Sequence, residues 1–472
     1  MFETAMTPPT ITLEFTALRA AYAAGDVTPV DVATHVLGEI AARGDDGVWI
    51  HKVPGETVLA RARALAALPP DDRAALPLYG IPFSVKDCID IAGLPTTSAC
   101  PAYAYTADRT NLAVQRALDA GAILIGKTNM DQFATGVVGV RSPYGVARNP
   151  FDAAYIPGGS SSGAAVSVSS GLCGFAFGSD TGGSGRVPAS YNNIVGLKPT
   201  LGLFPRNAMV NASPSFDTVS VYALTTADAL RVLETCRAVD PDDVYGRAAP
   251  VQPPVQDAGT PLRIAVPGKA SRTFFDNAEA EALFDEGLAE LAAMGHDLAE
   301  IDFELFFETS RMMFEGPWIA ERDAMVGDFI RANPEAVDPV VRQVITAAGG
   351  YTAAEAFQAM YRLHRNAREI RRAFDAADLI AVPTVGTVYT VAQVLADPIP
   401  TNASNGYYLN FASMADLAAI AVPNGFLPSG LPMGMTFVGP AFSDPFLAAF
   451  ADGFHRRRVG TLGATGQAFP GV

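Results

Sequence analysis

Residues 157–199 read PGGSSSGAAVSVSSGLCGFAFGSDTGGSGRVPASYNNIVGLKP, two glycine-bracketed serine clusters on either side of an apolar run. The clusters are Gly158-Gly159-Ser160-Ser161-Ser162-Gly163 and Gly182-Gly183-Ser184-Gly185. Gly and Ser also dominate flexible linkers, but a linker has no reason to carry residues 164–177, which are small and apolar enough to enter a core. The run divides into a helix over 162–170, stopped by Gly171, and a strand over 173–178 that feeds the second cluster. Ser162 is expected to cap that helix. A serine nucleophile needs an exposed Oγ with free backbone N–H groups beside it, and glycine lets the chain turn sharply enough to provide both.

Outward from this unit the same alternation continues. Upstream, the spacing of apolar residues predicts helices over 13–24, 28–40 and 57–68, a strand over 78–87, a helix over 111–120 and a buried strand over 122–126. Downstream come a helix over 225–238 with Thr225 as its N-cap and a Pro- and Asp-rich surface connection over 240–261. A strand over 262–266, a helix over 278–294 and a strand over 296–301 follow. Residues 303–374 read as helical, broken at Gly327, Pro334 and Gly349-Gly350. Strands over 379–383 and 433–438 and a helix over 445–456 complete the chain. This pattern predicts one α/β unit over residues 1–472, with a helical part at about 1–75 and helices on both faces of the sheet.

With 472 residues, 49% of them hydrophobic, the chain can bury a large core. Its net charge of −16 argues against nucleic acid or an anionic membrane as partner. No secretory leader and no apolar run of about 18 residues is present. The four cysteines stand at no metal-ligand spacing and read as reduced thiols, so a cytoplasmic protein is expected.

Which group could activate a serine? A Ser-His-Asp triad needs a histidine, and the five present (His35, His51, His296, His364, His455) all fall in or beside predicted helices or strands, away from glycine-rich turns. No GxSxG elbow stands at a predicted strand-to-helix turn, and HExxH and phosphate-loop patterns are missing. Neither a metal nor a cofactor is expected. A lysine acts as a base only when burial or positive neighbours lower its pKa. Lys86, at the end of the apolar strand, fits that role, and fits equally a strand-end lysine paired with Asp87 or Asp90.

Three motifs bear on that choice. Gly80-Ile81-Pro82-Phe83-Ser84-Val85-Lys86-Asp87, the first serine cluster, and Asp180-Thr181-Gly182-Gly183-Ser184-Gly185-Arg186-Val187-Pro188 stand in this order. The intervals are 74 residues from Lys86 to Ser160 and 24 from Ser160 to Ser184. In pattern and spacing they resemble the amidase signature family of serine hydrolases, in which a Ser-cisSer-Lys triad takes the place of the histidine triad. The resemblance extends over most of the chain and implies that family's fold, a large mixed β-sheet covered by helices on both faces. It implies Ser184 as the acylating nucleophile, Ser160 (after a cis peptide) as the proton relay and neutral Lys86 as the base. The backbone N–H groups of Thr181, Gly182, Gly183 and Ser184 would form the oxyanion hole. Asp180 and Arg186 would brace the turn, and Ser161 would hydrogen-bond Lys86.

Finer wording resembles one branch of the family, the allophanate hydrolases. It includes Asn129-Met130-Asp131-Gln132-Phe133-Ala134-Thr135-Gly136, Tyr191-Asn192-Asn193-Ile194-Val195-Gly196-Leu197-Lys198-Pro199 and the helical Glu315-Gly316-Pro317-Trp318-Ile319-Ala320-Glu321-Arg322. The branch implies that Arg322 holds a substrate carboxylate, within a helical insertion at about 303–374 that lines the site. Phe314, also expected at the substrate, stands where the branch carries a tyrosine. The chain is expected to lack the C-terminal domain that decarboxylates the first product. Hydrolysis of allophanate to ammonia and a carboxy-carbamate is therefore expected. The alternatives are a related small carboxylated amide or urea, a general aliphatic amidase, an amidotransferase component, or a scaffold that has lost catalysis. A small-molecule amide partner and a homodimer complete the expectations.

Overall fold

The computed structural model describes residues 11–250 and 260–469. Part of the connection expected over 240–261 lies outside them. Eleven strands form one sheet: β1 (Trp49–Lys52), β2 (Pro82–Lys86), β3 (Ile123–Thr128), β4 (Phe175–Asp180), β5 (Val195–Lys198), β6 (Thr218–Ala223), β7 (Arg263–Pro267), β8 (Asp297–Ile301), β9 (Leu379–Pro383), β10 (Leu417–Phe426) and β11 (Pro432–Pro440). Their spatial order is β1-β3-β2-β4-β6-β5-β10-β11-β9-β7-β8. The sheet is mixed: β3-β2-β4 and β9-β7-β8 run parallel, and the remaining neighbours are antiparallel.

Successive strand residues point to opposite faces. Every residue of β2, β4, β5, β6 and β9 is buried, so both faces are covered, as expected for an α/β fold. The main core runs along the sheet, and beside Lys86 and the serine clusters it contains Phe83 stacked on Phe175 at 5.0 Å with Phe177 edge-on to both. Thr225 caps its helix as expected, accepting from the Asp228 N–H at 3.1 Å.

Four strands of this sheet escape the sequence reading. β1 and β5 are only four residues long. β10 is rich in Ala, with Pro and Gly in its second half, a composition poor in strand formers. β6 does alternate, but on a fully buried strand the alternation marks no solvent face. Three expectations are corrected. Gly327 does not break a helix; it lies inside Ile319–Ala332, where one glycine costs about 1 kcal/mol and is carried by the packing around it. Ser162 is the first helical residue rather than the cap. Ser161 occupies the cap position without a side-chain capping bond, and Ser162 Oγ instead donates to the Asn129 carbonyl at 3.4 Å. Residues 315–318, expected to be helical, precede the helix that begins at Ile319.

Candidate active site

β2 and β4 are parallel neighbours with Val85 opposite Phe177, so Lys86 and Ser179–Asp180 lie side by side at their carboxyl ends. Open α/β sheets gather their chemistry at such ends. The helix Ser162–Ser169 packs on both strands and brings Ser160 and Ser161 to the same place. The Gly159–Ser160 peptide is cis. A Cβ at residue 159 would run into the Asp131 carboxylate and the Gly139 N–H, so only glycine fits there.

Lys86 is completely buried, and its Nζ donates to Ser160 Oγ at 2.7 Å and to Ser179 Oγ at 2.8 Å. The alternative pairings are not made. Asp87 sits 3.3 Å from Lys127, and Asp90 accepts from Thr96 and Tyr105. Ser161, expected beside Lys86, instead donates to the Ser179 carbonyl at 3.1 Å and accepts from the Ser179 N–H. The chain buries two other lysines fully: Lys127 is ion-paired, and Lys198 is held by the carbonyls of Pro199 and Leu417. Lys86 faces serine hydroxyls. Burial drives its pKa below the ordinary lysine value, although the Cys88 thiol and the carboxylates of Asp131, Asp217 and Asp180 pull the other way.

Ser184 is 3% exposed, and its Oγ lies 3.5 Å from the Gly136 carbonyl oxygen. Its hydroxyl makes no hydrogen bond to Ser160 among the described residues. Its turn is clasped by Asp180: one carboxylate oxygen accepts from Gly183 N–H (2.7 Å) and Arg186 Nη2 (3.0 Å), the other from Gly185 N–H (3.0 Å) and Arg186 Nε (2.9 Å). The Asp180–Arg186 brace is thus formed, wholly buried. It also narrows the expected set of oxyanion donors. The Gly183 N–H is committed to Asp180, which leaves those of Thr181, Gly182 and Ser184. The positive φ of Gly183, 119°, is one that side chains rarely adopt.

Arg322 is buried, with Nη1 donating to the Ala134 carbonyl (3.3 Å) and Thr135 Oγ1 (3.2 Å). It forms no salt bridge among the described residues, and its guanidinium lies 5.3 Å from the centroid of the half-buried Phe314 ring. Burial lowers its pKa, and the nearby carboxylates of Asp217 and Glu321 oppose that. Met313, next to Phe314, lies against the turn that carries Ser184: a Cβ at Gly182 would meet its sulfur.

Sequence reasoning missed three residues. Ser179 is the second hydroxyl on Lys86. Asp217 accepts from Thr181 Oγ1 at 2.5 Å and from the Ala212 and Ser213 N–H groups. Asp131 donates its N–H to the Ser160 carbonyl and gathers the N–H groups of Val138, Gly139 and Arg141 on its carboxylate, folding the 131–141 loop over the serines. Asp131 lies in a quoted motif, yet nothing local signals its role. Among the described residues no group of three or more His, Cys, Asp or Glu side chains could hold a metal ion, and no helix is long and apolar enough to cross a membrane.

The sequence model of the family described as Amidase matches residues 38–447. The chain belongs to the amidase family. It is an amide hydrolase related to the allophanate hydrolase part of urea amidolyases. Urea amidolyase of Saccharomyces cerevisiae is 40% identical over 410 residues, covering 86% of this chain and 22% of that protein. The crystallised allophanate hydrolase of Kluyveromyces lactis superposes with a TM-score of 0.89 at 35% identity, over 98% of this chain and 76% of that one. The native peptide amidase of Stenotrophomonas maltophilia superposes with a TM-score of 0.80 at 26% identity, over 97% of this chain and 98% of that one. The amidase thus spans about a fifth of the urea amidolyases it matches.

Proposed function

We propose that this amidase hydrolyses allophanate, or a small carboxylated amide or urea of the same shape, through Ser184, Ser160 and Lys86. The observation that carries the reading is Lys86: buried, unpaired with any carboxylate, and 2.7 Å from the hydroxyl of Ser160. As a neutral amine it accepts the Ser160 proton while Ser160 takes that of Ser184, once the Ser184 side chain turns from the Gly136 carbonyl toward Ser160. Catalytic hydrogen bonds are commonly loose before substrate arrives.

Ser184 Oγ then bonds the amide carbon, and the oxyanion faces the N–H groups of Thr181, Gly182 and Ser184, where each donor is worth about 3–4 kcal/mol in other acyl-transfer enzymes. Breaking the C–N bond returns the proton through Ser160 to the leaving nitrogen, which departs as ammonia. Water, deprotonated by the same pair, cleaves the acyl-enzyme to a carboxy-carbamate that loses carbon dioxide. Asp217 and Glu321 act on Arg322 without forming a salt bridge to it among the described residues, and a buried guanidinium with no bonded counter-charge is costly. A substrate carboxylate on Arg322 supplies the missing charge in a geometry suited to two parallel bonds. The likeness to urea amidolyase and allophanate hydrolase supports the substrate; Phe314 supports only a substrate that asks no hydroxyl of that position.

The test is ammonia release from allophanate, biuret, malonamate, malonamide and simple aliphatic amides, ranked by kcat/KM. Ser184→Ala abolishes release, and Arg322→Ala raises KM steeply for carboxylated substrates alone. Wild-type turnover by Ser184→Ala would refute the mechanism. A ranking led by carboxylate-free amides would refute the substrate.

A further inference from the structure

Against the peptide carbonyl of Ser184 stands a tyrosine that none of the three motifs contains. Tyr222 lies on β6, opposite Ala176 of β4 and Gly196 of β5. It is fully buried, and its hydroxyl donates to the backbone carbonyl of Ser184 at 2.7 Å. The same phenol lies against the Ser161 hydroxyl, which partly offsets the burial that pushes its own pKa upward. Glycine at 178 makes room for it: a Cβ there would meet the Tyr222 ring and Ser161 Oγ.

The contact between the two hydroxyls is one of packing, since the Tyr222 proton goes to the Ser184 carbonyl and that of Ser161 to the Ser179 carbonyl. Ser161 is bonded both ways to the backbone of Ser179, and the Ser179 hydroxyl and that of Ser160 share Lys86. Tyr222 is therefore placed between the peptide of the nucleophile and the segment that carries relay and base. Asp180 clasps the turn through Gly183 and Gly185, the residues on either side of Ser184. The Ser184 peptide carbonyl is held by Tyr222.

We propose that Tyr222 is a positioning residue that fixes Ser184 relative to Ser160 and Lys86 through the Ser184 carbonyl and Ser161. The inference rests on Ser184 being the nucleophile. A reacting atom displaced by about 1 Å can lose about 100-fold in rate, so removing this one hydroxyl acts on the chemical step and leaves substrate affinity alone.

The experiment compares Tyr222→Phe, which keeps the ring, with Ser220→Ala. Ser220 is two residues along the same strand, with a buried, unpartnered hydroxyl against Gly178 and Gly185 and no bond to Ser184. Both variants are checked for fold by circular dichroism and for steady-state ammonia release. Both are also tested for the rate of covalent labelling by a serine-directed fluorophosphonate. Expected for Tyr222→Phe are losses of about 10- to 100-fold in kcat and in labelling rate, with KM within about twofold. Ser220→Ala keeps both rates.

Equal losses in the two variants, or a loss confined to KM or to thermal stability, would overturn the proposal. If Tyr222→Phe does not fold, Ser161→Ala removes the hydroxyl packed against the phenol together with its two bonds to the Ser179 backbone, and must show the same kcat loss at unchanged KM; unchanged kcat overturns it. Should both fold, their combined effect must fall short of the product of the single effects, since they cut one connection. Failure of the nucleophile assignment looks different: Ser184→Ala would then still turn over and still label.

Discussion

Asparagine in place of Asp180 should cost this protein more than any exposed charge change. Each carboxylate oxygen of Asp180 accepts one backbone N–H and one guanidinium N–H, four bonds in all. An asparagine has one acceptor oxygen and one NH2. Whichever way it is turned, the NH2 confronts one backbone N–H and one N–H of Arg186. Burial alone would raise the Asp180 pKa, but the Arg186 guanidinium outweighs it and holds the carboxyl below its usual range. The contribution of the pair is thus present above the ordinary carboxylate pKa and is lost only as pH falls through the depressed one. Removing one partner of a buried pair costs about 3–5 kcal/mol. With an unfolding entropy of about 2.1 cal/mol/K per residue, or roughly 1 kcal/mol/K for this chain, Asp180→Asn lowers Tm by about 3–5 °C. Ammonia release falls as well, because the turn carrying Ser184 loses its clasp. Differential scanning calorimetry at pH 7 measures the first effect. The control is Arg237→Gln, which breaks a pair with Glu234 whose side chains are 38% and 41% exposed and which is worth no more than about 1 kcal/mol. A Tm within about 1 °C of wild type for Asp180→Asn, or equal shifts in the two variants, would refute the reasoning.

Other outcomes follow from the same geometry. Protonated Lys86 cannot take a proton, so kcat/KM rises with pH along a limb that lies below the ordinary lysine pKa; a rate that falls as pH rises through the acid limb, or a rising limb at or above the ordinary lysine pKa, removes Lys86 as the base. Phe314→Leu strips the ring from beside the Arg322 guanidinium, a contact worth about 0.5–2 kcal/mol. KM for carboxylated substrates should therefore rise several-fold, and that for neutral amides should not. His455 is buried with both ring nitrogens unpartnered, and burial lowers its pKa to about 3, a shift that Asp452 opposes and Arg456 reinforces. The folded state keeps it neutral while the unfolded chain protonates from about pH 6.5 downward. Its contribution is intact above that pH and is lost progressively toward pH 3, about 2 kcal/mol of it by pH 5. His455→Phe should accordingly narrow the Tm difference between pH 7 and pH 5 by about 2 °C, and an unchanged difference would count against a neutral buried ring.

What the sequence discloses here follows the range of the physical constraint. The second serine cluster is legible because its demand is local, a glycine at 183 for a φ of 119°, whereas the glycine at 159 answers a tertiary contact with Asp131 and is legible only as part of its motif. The parallel units around β2, β3 and β4 are legible because apolar strands alternate with helices that end in glycine. Register is not legible. Ser179 meets Lys86 because β4 lies beside β2, and Tyr222 reaches Ser184 because antiparallel β6 sets it opposite Ala176, in a strand whose alternation marks no solvent face. The pairing of Lys86 also turned on tertiary placement. Two aspartates stood within four residues of it, and both are taken by other groups.

The division between chemistry and substrate has the same origin. Lys86, Ser184 and Asp180 sit on two adjacent parallel strands or the turn that follows, and Ser160 immediately precedes the cap position of the helix packed on both, so one packed unit fixes their mutual distances. Arg322 reaches the site from a helix that begins at Ile319, by bonding Ala134 and Thr135 of the loop that Asp131 folds over Ser160. Arg322 is therefore tied to Ser160 through one loop, and its neighbour Phe314 to the turn of Ser184 through Met313 against Gly182. The half-buried ring of Phe314 makes no hydrogen bond to that loop, so a change there leaves the Lys86–Ser160 pair in place. A change in the 131–141 loop does not, because the Asp131 N–H that holds Ser160 and the carbonyl that receives Arg322 belong to the same few residues.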